Sequence, residues 1–223
     1  MNIKEMKLFT RKLNEMKDFY GDVLNLTIIK ENQQAFTVRI GSTNLSFHKG
    51  DFESAPVYHV AINIPENKLV EAKEWISSKV NLNREEEDDE VYFEDWNAHA
   101  IYFEDPAGNI LEFIARHNLN NRNEQPFSSL DLLNISEVGV VADEVIPLAR
   151  ILNEKGIPNF RPDGEGFTPV GDEHGLLIMV KTGRRWFFSN RFATFYPFEV
   201  LIEGIGWLKF TSRNHVVSGV NES

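Results

Sequence analysis

The sequence predicts an α+β fold in which tandem βαβββ modules build a curved mixed sheet with helices on its outer face, followed by a third, degenerate module. Three observations carry this. A strand, a helix and three further strands occur in that order twice in the first half of the chain, the strands alternating with period two and the helices with period 3.6. The same pattern starts a third time after a polar stretch. The composition, 42% hydrophobic and 12% aromatic over 223 residues, is that of a globular chain long enough to bury a sizeable core.

In chain order, residues 5–10 alternate, with Met6 and Leu8 on one face. Asn14 can cap a helix that carries Met16, Phe19, Tyr20 and Val23 at helical spacing. Strands follow near residues 26–30, 34–40 and 44–48, and Gly41-Ser42 turns the last two. The second unit repeats the plan: a strand at 57–64, an amphipathic helix at 67–79 with Leu69, Ala72, Trp75 and Ile76 on one side, and strands at 91–95, 98–104 and 109–116. The acidic run Glu85 to Glu90 within it reads as a solvated turn. The polar stretch after Arg116 reads as a linker. The third unit has a strand at 135–141 and a helix at 144–155 with Pro147 in its first turn and Gly156 at its end, then strands at 175–181 and 198–203. It is interrupted by Arg161-Pro162-Asp163-Gly164-Glu165-Gly166. The expected division is therefore a paired domain over 1–116, a linker over 117–131 and a degenerate module over 132–223.

Charge and composition exclude several functions. With 34 acidic against 23 basic residues the net charge is −11, which repels a nucleic-acid backbone. The absence of cysteine removes disulfides, thiolate metal sites and a cysteine nucleophile. The amino terminus has no apolar signal core and no apolar run is long enough to span a membrane, so a cytoplasmic protein without membrane partners is expected.

Strand parity sorts the polar residues. Val60, Ile62 and Ile64 take the helix-facing side of their strand, which leaves His59, Ala61 and Asn63 on the concave side. Leu111 and Phe113 send Glu112 there as well, and Met6 and Leu8 send Glu5 and Lys7. Glu5, His59 and Glu112 form an oxygen–nitrogen–oxygen donor set suited to a divalent first-row metal, with coordination positions left open for a substrate oxygen. Arg39, on the same side of its strand, is a candidate anion holder, and Tyr102 a candidate pocket residue. His99 has the opposite parity and reads as structural. Glu137 opens the third unit at the corresponding strand position, and Gly183-Arg184-Arg185-Trp186 offers cationic and aromatic groups that could cover a ligand or serve as a cap.

The repeated βαβββ plan, Phe19-Tyr20-Gly21-Asp22, and above all Glu104-Asp105-Pro106-Ala107-Gly108-Asn109-Ile110-Leu111-Glu112 resemble the vicinal oxygen chelate superfamily, which includes glyoxalase I, extradiol dioxygenases, fosfomycin-resistance enzymes and bleomycin-binding proteins. The resemblance implies metal ligands on the first and last strands of each module, which by position fall on Glu5, His59 and Glu112. Most relatives have histidine where this chain has Glu5. Two carboxylates and one imidazole tilt the choice toward manganese or iron over zinc. A further family position falls at or near Asn44, with Ser46 or His48 as alternatives, and a tyrosine at the place of Tyr102 contacts substrate in fosfomycin-type relatives.

The expected function is a metal-dependent enzyme acting on a small oxygen-rich molecule, with dioxygenase-, resistance- or lyase/isomerase-type chemistry. Its alternative is a metal-free drug- or metabolite-binding protein. Modules pair within one chain or across a homodimer, and the sequence leaves both open.

Overall fold

The computed structural model describes residues 1–219. The first unit comprises β1 (Ile3–Thr10), α1 (Leu13–Asp18) running on into a wider helical turn (Phe19–Val23), β2 (Ile28–Glu31), β3 (Ala35–Ile40) and β4 (Thr43–Lys49). The second comprises β5 (His59–Ile64), α2 (Leu69–Ser77), β6 (Val91–Phe93), β7 (Ala98–Glu104) and β8 (Ile110–Arg116). The third has one strand fewer: β9 (Asn134–Ala142), α3 (Val145–Glu154), β10 (Phe167–Asp172) and β11 (Gly175–Lys181). A meander of β12 (Phe198–Ile202), β13 (Gly206–Ser212) and β14 (His215–Gly219) closes the described chain. Among the described residues no helix is long and apolar enough to cross a membrane.

The helices form where apolar side chains fall at i, i+3, i+4 and i+7. In α3 these are Val145, Leu148, Ala149 and Leu152, all buried. Pro147 sits in the first turn, where its missing N–H has no intrahelical partner to lose. In α2 the buried positions are Leu69, Ala72 and Ile76. Each helix packs on the sheet of its own unit. One continuous apolar core then joins the helices to the core-facing sides of all the units: Met6 and Leu8 from β1, Val60, Ile62 and Ile64 from β5, Leu111 and Phe113 from β8, Val138 and Val140 from β9. Burying one such side chain contributes about 1.5–3 kcal/mol.

The strands form two seven-stranded mixed sheets, in the orders β14-β13-β12-β1-β4-β3-β2 and β10-β11-β9-β5-β8-β7-β6. In each βαβ-containing unit the first strand runs parallel to the last: β1 with β4, β5 with β8, β9 with β11. Units are joined antiparallel through their first strands, and here the pairing differs from the simplest reading of the tandem repeat. β5 pairs with β9, and β1 pairs with β12. The second unit is thus partnered by the third, and the first by the C-terminal meander. Strands β10, β13 and β14 lie in stretches that local pattern does not mark as extended. The polar segment after Arg116 is held down by asparagine side chains: Asn67 Nδ2 donates to the Asn123 carbonyl (2.9 Å), Asn123 N–H donates to Asn67 Oδ1 (3.1 Å), and Glu66 N–H donates to Asn121 Oδ1 (2.8 Å).

Two turns fix how the units meet. Gly41, at φ +51°, passes so close to the chain at Leu133 that a Cβ would lie 1.9 Å from the Leu133 carbonyl oxygen. The Asp105-Pro106-Ala107-Gly108-Asn109 turn is a buried hydrogen-bond hub. Asp105 Oδ1 accepts from the N–H groups of Ala107 (2.9 Å) and Asn109 (3.0 Å), and Oδ2 accepts from Asn109 Nδ2 (2.7 Å) and from the Tyr20 hydroxyl of the first unit (3.2 Å). Its role is architectural. Asp105→Ala is expected to lower stability by about 2–4 kcal/mol, since four donors lose one acceptor at a buried site. Urea unfolding measures this, and a loss under about 1 kcal/mol would refute it.

Candidate metal centre

The second sheet bends around a cavity of about 500 Å³ on the side away from the core. Its wall is set by parity: Tyr102 from β7, Ile114 from β8, and Ile178 and Val180 from β11 line it and belong to a second apolar cluster distinct from the main core. Three polar residues sit on the floor. His59 comes from the start of β5, Glu112 from the middle of β8 and Glu137 from β9, and all three are buried. Ala61 of β5 is in register with both carboxylates, with Glu112 on one side and Glu137 on the other. The antiparallel pairing of β5 with β9 is therefore what brings the third unit's carboxylate to the second unit's histidine.

One donor atom from each of these residues lies within 4.8 Å of the others. His59 Nε2 stands 3.5 Å from Glu112 Oε2 and 3.8 Å from Glu137 Oε2. These separations lie at and beyond the outer limit of a hydrogen bond and match the spacing of neighbouring ligands around one ion, whose metal–ligand bonds are about 2.0–2.2 Å. His59 Nδ1 is 3.2 Å from the Ile110 carbonyl, which can only accept, so the proton sits on Nδ1 and the Nε2 lone pair faces the carboxylates. The donor set therefore fits a divalent ion. Among the described residues this is the one such cluster.

The electrostatics are dominated by burial and by one cation. Burial, followed by the neighbouring Glu137 charge, pushes the Glu112 carboxyl up to about 8. Glu137 is held below the usual carboxylate range: burial opposes this, but the neighbouring His59 and the Arg116 guanidinium outweigh it. Burial works to lower the His59 imidazole, and Glu137 and Glu112 together reverse it, so its pKa is raised. Arg116, fully buried at the end of β8, ion-pairs Glu137 through Nη2, and its Nε donates to Asn63 Oδ1 (3.2 Å). Tyr102 faces Glu112 across the β7/β8 ladder. Burial and the two carboxylates hold its phenol protonated, well above the ordinary value, so it is a hydrogen-bond donor and not a base.

A loop after β11 roofs the cavity. The Trp186 indole lies over His59 (centroids 5.2 Å apart) and Phe188 stacks on Tyr102 (5.1 Å). Gly139 makes room for the indole, because a Cβ there would come within 2.5 Å of the Trp186 ring. Two ion pairs fasten the loop: Arg185 to Glu85 of the acidic turn, and Arg191 to Glu104, with Nη2 at 2.6 Å and Nε at 3.0 Å from its two oxygens.

The sequence-predicted residues therefore divide. His59, Glu112 and Tyr102 come together at the cavity. Glu5 lies in β1 of the other sheet, in register with Asn44, and Glu137 stands in its place at the cluster. Arg39, also on the first sheet, is exposed and does not line the cavity. The first sheet's own row, Thr37–Ser46–Lys7–Glu199, matches Tyr102–Glu112–Ala61–Glu137 of the second by register. There Lys7 Nζ is 3.5 Å from Glu199 and 4.3 Å from the Trp207 ring centroid, and Lys209 Nζ is 3.2 Å from the other Glu199 oxygen. Parity carried an unused signal for two functional groups. Val138 and Val140 on the core face put Glu137 on the concave one, and Arg116 shares the parity of Glu112 and Ile114.

No family model matches the sequence, and no curated protein does. Solved structures do match. A putative dioxygenase from Bacillus subtilis superposes with a TM-score of 0.59 at 16% identity over 81% of this chain, which spans 63% of the length of that protein. Half-length likenesses include a lactoylglutathione lyase from Agrobacterium tumefaciens (TM-score 0.41, 18% identity, 50% of this chain and 91% of that one). Another is the fosfomycin resistance protein FosX from Listeria monocytogenes, solved as a point mutant with Mn(II) and a dihydroxypropylphosphonic acid (TM-score 0.41, 21% identity, 53% and 91%). At these identities the likeness speaks for architecture alone: an α+β fold of repeated βαβββ units in mixed sheets.

Proposed function

We propose that the chain is a divalent-metal enzyme acting on a small molecule that presents two neighbouring oxygens, with His59, Glu112 and Glu137 as the metal ligands. The observation that carries this reading is the convergence of three buried donor atoms within 4.8 Å on the floor of a cavity sized for a small molecule. When bound, the ion supplies Lewis acidity that stabilises negative charge developing on a substrate oxygen. The protein's own groups do the rest. Tyr102 donates to a substrate oxygen beside Glu112, Arg116 holds Glu137 ionised, and Trp186 excludes water from above. With one imidazole and two carboxylates, the hard donor set favours manganese or iron(II).

The test is elemental analysis of chelator-treated protein after incubation with manganese, iron(II) or zinc. One ion per chain is expected in the wild type and in Glu5→Ala, and none in His59→Ala, Glu112→Ala or Glu137→Ala. A second reading, a metal-free binding protein, is favoured by one feature: Arg116 already gives Glu137 a cation. Absence of metal in the wild type under every condition decides for it.

A further inference from the structure

The roof loop carries three arginines, and two of them are neutralised by carboxylates. Arg185 is paired with Glu85 and Arg191 with Glu104. Arg184, which lines the cavity, is not: its side chain donates to the Gly166 carbonyl (3.2 Å), and among the described residues no carboxylate lies within ion-pair distance. In a chain with 34 acidic residues and a net charge of −11, a cavity-lining cation left without an acid stands out from its neighbours. Its guanidinium is held in place by stacking, 4.8 Å from the ring centroid of Phe167, itself a wall residue. Stacking fixes the plane of the fork and leaves its edge N–H groups for an oxyanion. A second cation repeats the arrangement. Arg161 lies 5.7 Å from the ring of the wall residue Trp96 and 5.4 Å from Phe160, also without a carboxylate partner among the described residues. The cavity thus has a buried oxygen-and-nitrogen floor, aromatic sides made of Phe93, Trp96, Tyr102, Phe167 and Phe187, and an exposed cationic rim.

We infer that the substrate is a flat, largely apolar molecule with an anionic group, a carboxylate or phospho/phosphono group, at its outer end, and that Arg184 is the residue that reads that anion. This deepens the functional proposal and rests on its reading of the cavity as the substrate site. A charge-assisted pair at such a rim separates an anion from its neutral isostere by about tenfold or more.

The experiment titrates 3,4-dihydroxybenzoate, its amide 3,4-dihydroxybenzamide, and catechol into manganese-treated protein by calorimetry. The acid is expected to bind wild type at least about tenfold more tightly than the amide. Arg184→Gln should bring that ratio close to one while leaving the affinity for the amide and catechol within about twofold. A wild-type ratio near one, a ratio that survives in Arg184→Gln, or binding of none of the three compounds overturns the inference. Repeating the titration in chelated protein and in His59→Ala separates the two readings. Affinity for all three compounds that is unchanged without metal, with the acid preference intact, upholds Arg184 and sinks the metal ligands. Manganese-dependent binding of all three without acid preference does the reverse.

Discussion

Exchanging Arg116 for methionine is expected to cost the fold about 3–5 kcal/mol in metal-free protein at neutral pH, the largest single loss on the second sheet. Arg116 has no exposed surface, and its Nη2 neutralises a carboxylate that is itself buried. Methionine keeps the length of the apolar stem but leaves Glu137 charged with the buried His59 as its remaining partner. The double variant Arg116→Met/Glu137→Gln should recover most of the loss, because the cost lies in the stranded charge and not in the missing guanidinium volume. Urea unfolding of the wild type, Arg116→Met, Glu137→Gln and the double variant gives the coupling directly. A single-variant loss under about 1 kcal/mol, or a double variant no better than the single, contradicts the account.

Metal capture is expected to weaken by about tenfold or more for each pH unit below 8. Glu112 must lose its proton to ligate, and burial together with Glu137 holds that proton up to about 8. His59 is also raised, so on acidification a second proton competes at Nε2. The same shifts fix the sign for the metal-free fold. A carboxyl whose folded pKa is raised binds its proton more tightly folded than unfolded, so it stabilises the fold at low pH and that contribution is lost as pH climbs from about 4.5 through 8; a raised His59 adds in the same direction. Metal-free protein should therefore melt lower at pH 8.5 than at pH 6, and manganese should reverse the order. Manganese titrations at pH 6, 7 and 8 together with melting curves test both halves, and pH-independent capture would remove Glu112 from the ligand set.

Much of this was legible from periodicity. Parity placed His59, Glu112 and Tyr102 on one concave face because each of their strands has an unbroken apolar opposite face, as with Val60, Ile62 and Ile64. Glu5 went elsewhere for a reason local pattern does not contain. A tandem repeat states that two units are alike, not which first strands will pair, and the β5/β9 and β1/β12 ladders join segments far apart in sequence. Had units one and two paired, Glu5 would have faced His59; with units two and three paired, Glu137 does. The roof was hidden for a different reason. Trp186 reaches the cavity from a loop without strand or helix period, and Phe188 packs on Tyr102 behind it at φ +48°, a conformation that no residue preference for phenylalanine signals.

The lysine on the first sheet has a bearing on capacity. A four-part architecture with two matching rows suggests a protein with two equivalent berths, but in one of them the positive charge is tethered to the chain: the Lys7 ammonium lies beside Glu199, and a serine, Ser46, replaces the second carboxylate. A tethered charge cannot be exchanged, chelated or starved. The stoichiometry to expect from the proposed centre is therefore one exchangeable ion for each 25.7 kDa of protein, and the half of the molecule built on β1 keeps its charge balance whatever the metal supply.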